Sequence, residues 1–176
     1  MVLSERVYGW QAGMALLISL VFLLLLSLVG LSAMQGAVAQ QKMAGSLLHR
    51  NQSLQSAESG LRLGESRVQR ESAALPLCRS VVACAPPGEA LRGVAGGVSP
   101  GSAVNWVAMK GGLYAVQSLG PGIGLAQLPA QTPAAVYRVT AVGLSGQSRT
   151  VLESVYARVD GEGGLRFRRV MWRQLQ

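Results

Sequence analysis

The chain has 176 residues, room for one domain and an appendage, which excludes a large multidomain enzyme. It is 49% hydrophobic and only 14% charged, where an ordinary soluble domain carries about 25% charged residues, so part of it is not built for water. Sixteen Lys+Arg against eight Asp+Glu give a net charge of +8, and because Glu5 and Arg6 cancel, the whole excess lies from Lys42 onward.

Residues 14–34 read MALLISLVFLLLLSLVGLSAM, with Ser19, Ser27 and Ser32 as the only polar members. A helix needs about 20 such residues to cross the ~30 Å hydrocarbon core of a bilayer, so the segment is long enough to span. The competing reading is a secretory signal peptide cut after Ala37-Val38-Ala39, an A-x-A site. Against it, the apolar run exceeds the usual h-region of about 7–15 residues, and Arg6 in the n-region is offset by Glu5. Flanking charge does not orient the span, since Lys42 and Arg50 follow it, but a long following domain translocates largely regardless of its charge.

Nothing forces the helix to stop at the membrane surface, because no proline occurs before Pro76. Leu47, Leu54, Leu61, Val68 and Leu75 recur at a seven-residue step and keep one seam on one face, with Ala57, Gly60 and Gly64 beside it. Arg50, Gln55, Arg62 and Arg70 fall opposite, and Glu58 with Arg62 makes a favourable i,i+4 pair. Helical from Met14 to about Glu71, the element would be about 85 Å long. Gly30, Gly36, Gly45, Gly60 and Gly64 each cost such a helix about 1 kcal/mol relative to Ala. The expected division is a short N-terminal piece 1–13, an apolar half 14–34, an amphipathic continuation 35–75 and a head 76–176.

Cys78 and Cys84 follow the helix. An even pair closing a short loop after a membrane segment suits a disulfide in an oxidising compartment, with two free buried thiols as the alternative. Zinc needs about four ligands, which two cysteines and the lone His49 do not supply.

The rest of the chain is rich in Gly and Pro with short alternating apolar runs, which predict strands. Residues 104–109 and 113–119 make a hairpin around Lys110-Gly111-Gly112. Residues 120–134 are proline-broken and predict a loop, and 135–143, 150–159 and 165–172 predict a three-strand meander. Period two places Val151, Glu153, Val155, Ala157 and Val159 on the expected core face, with Leu152, Tyr156 and Arg158 opposite. Alternation breaks at Arg168-Arg169, which predicts a bulge or a charged edge strand. Trp10, Trp106 and Trp172 suit either the membrane interface or the core, with core expected for the last two. Four or five strands covering one long helix make an α+β head.

Enzyme signatures are absent, and no cofactor or metal site is called for. His49 has no Asp or Cys at usable spacing, and GPGIG at 120–124 lacks the strand-turn-helix context of a phosphate loop. Asp160-Gly161-Glu162-Gly163-Gly164 offers too few oxygens for calcium and is better read as a turn. Arg166, Arg168, Arg169 and Arg173 beside Phe167 and Trp172 could contact an anionic partner. Edge protection or an acidic neighbouring subunit accounts for them better than nucleic acid does.

Three stretches, AGMALLISLVFLLLLSLVGLSAMQGAVAQQKMAG, NQSLQSAESGLRLGE and the strand pair YRVTAVGLSG with VLESVYARV, resemble type IV pilins and more closely the PilX group of minor pilins. The resemblance implies a pilin-like α+β fold, a leader ending at Gly13, and cleavage by a prepilin peptidase that methylates Met14 as the new N-terminus. It implies an assembly helix carrying Ile18, Leu24, Val29 and Gly30. Major pilins have a glutamate at the fifth place after the cut; here that place is Ile18, a departure shared by related minor pilins and by K-type pseudopilins of type II secretion. A carboxylate in an apolar bundle is tolerable only when paired, so a subunit without it loses a contact but buries no unpaired charge. The expected role is that of a minor pilin in the priming or tip complex of the pilus. Its expected partners are other minor pilins, the major pilin, the prepilin peptidase, an inner-membrane assembly platform and the lipid bilayer. The expected location is the bacterial inner membrane with a periplasmic head, then the filament. The alternatives are a bitopic periplasmic module binding DNA or a surface, and a type II secretion pseudopilin.

Overall fold

The structure is a computed structural model that describes residues 8–161 and 163–176, with side chains from residue 13 onward. The chain divides into two compact units, Met1–Gly45 and Ser46–Gln176. Helix α1 runs Tyr8–Glu71 and ends in a 3₁₀ turn, Ser72–Ala74. Two short helices follow, α2 (Val81–Cys84) and α3 (Glu89–Arg92). Six strands complete the chain: β1 (Gly97–Val98), β2 (Asn105–Met109), β3 (Gly112–Gly122), β4 (Ala134–Ser145), β5 (Ser148–Gly161) and β6 (Gly164–Gln174).

The six strands form one antiparallel sheet in the order β1 to β6, so every strand pairs with its neighbour in sequence. Tight turns account for part of this order, at β2–β3 and β4–β5. Met109 pairs with Gly112 across Lys110-Gly111, and Gly111 sits at φ +77°, a conformation glycine adopts without steric cost. Ser145 pairs with Ser148 across a turn in which Gly146 takes φ +54°.

The sheet has six strands rather than four or five, because β1 is too short for a hydropathy pattern to reveal and the hairpin joins the meander. Strand β3 also runs on through Gly120-Pro121-Gly122, which the proline had marked as loop. Strand β2 covers only Gly112 to Ala115 of β3, leaving the far end of β3 an edge where proline is tolerated. A bulge between Ser118 and Gly120, with Gly120 at φ +90°, brings Pro121 into register with Ala135.

The second unit's part of α1 lays Leu54, Ala57, Leu61 and Val68 on Tyr137, Val139, Ala141, Leu152 and Tyr156. Close approach depends on missing side chains. A Cβ at Gly60 would stand 2.6 Å from Met109 Cε and 2.9 Å from Ala141 Cβ, and one at Gly64 would collide with Val139. Leu47, at the start of the expected seam, is exposed. The i,i+4 ion pair on this helix is Arg67–Glu71 at 3.0 Å among the described residues, in place of the expected Glu58–Arg62.

Strand β5 corrects the assignment of faces. Leu152 and Tyr156, expected opposite the core, are buried under α1, while Val151 packs with Trp106, Val142 and Ala90 on the other face. Both faces are covered because the segment between α1 and β2, together with Leu125 and Leu128, folds over the side away from the helix. Trp106 is core at 2% exposure, but Trp172 is 47% exposed, since it lies on edge strand β6 with no element beyond it.

Candidate functional site

In the first unit, every described side chain from residue 13 to residue 44 is exposed, including Ile18, Leu24 and Val29. An apolar helix whose described side chains are all exposed suits a surrounding of lipid or other helices. Its polar atoms fit either medium. Ser19 Oγ donates to Ala15 O at 2.6 Å, and Ser27 Oγ donates to Leu23 O at 2.8 Å, so these hydroxyls need no water. Position 18 carries isoleucine and hence no charge to desolvate. The helix contains a segment long and apolar enough to cross a membrane. Gly13 and Met14 lie within α1, and a Cβ at Gly13 would meet nothing within 4 Å. Residues 1–7 of the expected leader lie outside the described residues, as does the side chain of Trp10.

The second unit fastens α1 to the sheet through a carboxylate that pattern reading passed over. Glu65 is buried, and its Oε1 accepts from Ser154 Oγ and from Arg169 Nε, both at 2.8 Å, while Oε2 accepts from Arg169 Nη2 at 2.7 Å. This bidentate hydrogen bonding holds the Arg169 guanidinium above its ordinary pKa. Four residues after Leu61 and three before Val68, Glu65 falls inside the apolar stripe, and that spacing was the available signal for a buried, paired acid.

On the opposite face, Glu153 is fully buried, and its Oε1 accepts from Arg173 Nε at 3.1 Å. Arg138 Nε lies 3.4 Å from Glu153 Oε2, an ion pair without hydrogen-bond geometry. Burial holds the Arg138 guanidinium below its ordinary pKa, aided by Arg173 and opposed by Glu153.

The four arginines of the C-terminal strand are thus not brought together. A register shift between Val155 and Tyr156 leaves Val170 unpaired on β6, so Arg169 faces the helix while Arg173 faces Glu153 on the other side. Arg168 donates to Gln127 O at 2.7 Å. Without that bulge, residues 169 and 173 would share a face by period two.

Cys78 and Cys84 are joined, with Cα atoms 5.3 Å apart. The loop they close is fastened from beneath. Cys78 N donates to Ser118 O at 2.9 Å, and Ser80 Oγ caps α2 by accepting from Ala83 N at 3.1 Å. Gln117 Nε2 donates to Ala83 O at 2.6 Å and Ala85 O at 3.0 Å, while Arg138 Nη1 donates to Cys84 O at 2.5 Å. Carbonyls that a four-residue helix leaves orphaned are therefore taken up by side chains of β3 and β4. Next to it, Glu89 accepts from Ser102 Oγ and from Trp106 Nε1, the latter at 3.2 Å. Burial alone would raise the Glu89 pKa, but these hydrogen bonds outweigh it and hold the carboxylate below its ordinary value.

Among the described residues, no three His, Cys, Asp or Glu side chains cluster so as to hold a metal. His49, exposed on α1, has Nδ1 3.0 Å from Ser145 Oγ at the β4–β5 turn. Asp160 pairs with Arg158 at 3.5 Å, and Glu162 of the same turn lies outside the described residues.

Residues 12–62 match the family described as PilX N-terminal, so the matched segment takes in the whole exposed apolar helix and the first turns over the sheet. No curated protein and no solved structure matches the chain.

Proposed function

We propose that this chain, a PilX-type pilin in its N-terminal segment, acts as a minor pilin in the priming or tip complex of type IV pili. The chain is held first in the inner membrane by residues 14–34 and then passes into a helical bundle of pilus subunits. Its PilX-type segment supports a minor-pilin role and an inner-membrane anchor, and pilins are not an enzyme family. The observation that carries the finer reading is the apolar half of α1, exposed on all sides with Ser19 and Ser27 satisfied within the helix.

The mechanism is association. Moving the helix from lipid into a bundle exchanges one apolar environment for another, so the driving force is close packing and surface complementarity of the heads, and small residues such as Gly30 admit a neighbouring backbone. Isoleucine at position 18 leaves the bundle without a buried charge that a further subunit would have to neutralise. This favours a place with nothing stacked beyond it. Cleavage after Gly13 and methylation of Met14 follow from the same reading.

The mass of the mature chain tests it. Loss of residues 1–13 with an added methyl group supports the pilin. Loss of residues 1–39 would identify a secreted domain, and an intact N-terminus a simple anchor; either would overturn the reading.

A further inference from the structure

Val81 and Val82 are 89% and 67% exposed, the first of them the most exposed large apolar side chain described. They belong to α2, inside the loop closed by Cys78 and Cys84. Isolated exposed valines on a mobile loop would need no explanation. Here the loop is immobilised by a disulfide, by the Ser80 cap and by the side chains of Gln117 and Arg138 rising from the sheet. Committing a largely buried guanidinium to the underside of a loop, while its two apolar side chains stay in water, is a poor solution for an isolated protein. It is a good one for a surface that must be presented in a fixed shape.

Charge selects the partner. Arg79 and Arg92 are exposed on either side of the valines in sequence, and Arg92 lines the same groove as Val82, Pro86 and Glu89. The Glu89 carboxylate, held in place but not neutralised by Ser102 and Trp106, lies in the same groove, so the flanks carry two positive charges against one negative. A second copy of this chain offers few carboxylates that are not already ion-paired among its described residues. Glu65, Glu71, Glu153 and Asp160 are all paired with its own arginines, and Glu58 lies in the field of Arg169. With a net charge of +8, like heads also repel.

We infer that the Cys78–Cys84 loop is a rigid docking knob that seats Val81 and Val82 in an apolar, carboxylate-rimmed pocket on the head of a different pilus subunit. The inference rests on the assembly role proposed above and names the contact through which the head takes part in it. Burial of the valines supplies the affinity, and Arg79 and Arg92 supply register and choice of partner.

The test compares the full-length chain with its Val81→Asp/Val82→Asp and Arg79→Glu/Arg92→Glu variants in the cells that make it, measuring the share in sheared filaments against the membrane pool. The aspartate pair should lower the filament share by about tenfold or more, since two valines lose their burial and a charge is forced into the pocket. The glutamate pair should lower it severalfold, with the disulfide and the membrane pool unchanged in both. Should the aspartate variant misfold, seen as loss of the disulfide or of the membrane pool, the glutamate variant decides. Filament incorporation of a correctly folded variant at the wild-type level overturns the docking knob and leaves the assembly role standing. Absence of the wild-type chain from both filaments and the membrane assembly complex overturns the two together.

Discussion

Glycine serves opposite purposes in the two stretches of α1. Gly60 and Gly64, in the second unit, lie so close to Met109, Ala141 and Val139 that a methyl group at either place would require something to move. Gly30, Gly36 and Gly45, in the first unit, meet nothing of their own chain within 4 Å. Each glycine costs a helix about 1 kcal/mol relative to alanine. Over the sheet, close packing offsets that cost within the molecule. In the first unit no contact among the described residues does, and under the role proposed above it is neighbouring helices that would make use of these small residues. One helix thus carries a stretch packed on its own sheet and a stretch left exposed.

The sharpest way to break this comparison is Gly64→Leu beside Gly30→Leu. The first should destabilise the second unit by about 3 kcal/mol through overpacking against Val139, whereas the second should leave the thermal midpoint of that unit unchanged. Equal losses would mean that the two stretches are not energetically separate. Next in size, replacing Cys78 and Cys84 together by serine should cost about 2 kcal/mol from the loop entropy returned to the unfolded chain. The midpoint in denaturant, compared with that of the oxidised wild type, measures it, and no difference between the two would show that Gln117 and Arg138 suffice to hold the loop.

The smallest effect concerns pH. The Glu89 carboxylate has a folded pKa below its unfolded value, so its contribution to stability is present above about pH 4.3 and lost as pH falls through the folded value. Glu89→Gln should therefore lower stability at neutral pH by less than about 1 kcal/mol, read from the thermal midpoint, and the difference from wild type should shrink in acid. A difference that grew in acid would contradict the assigned hydrogen bonds from Ser102 and Trp106.

Much of the molecule was legible in the sequence because its signals are local. The apolar run at 14–34, the seven-residue seam through Leu54, Leu61 and Val68, and the glycine turn at Gly111 each encode their element within a few residues. Face assignment on β5 failed for a different reason. Alternation tells two faces apart, but with helix on one side and loops on the other neither face of β5 is wet, so Leu152 and Val151 are both core. The C-terminal arginines formed a cluster only in one dimension. The break in alternation at Arg168-Arg169 marked the bulge region, yet nothing local says that the unpaired residue is Val170 and that Arg169 and Arg173 then reach different carboxylates. Trp172 was placed in the core on its size alone, which an edge strand overrides.

What the sequence determined by itself is the apolar helix: an uncharged stretch of that length is long and apolar enough to cross a membrane. It also determined the pairings made across two-residue turns, such as β2 with β3 and β4 with β5, but not that of β3 with β4, which residues 123–133 separate. Only the tertiary structure decided which charges are free and which are consumed. Ion pairs such as Glu65–Arg169 join residues far apart in the chain, and the energy of a charge depends on burial and on partners that spacing does not encode. For the same reason, only the folded head turns two ordinary valines into its most conspicuous surface: the side chains that hold their loop come from strands β3 and β4, remote in sequence from the loop itself.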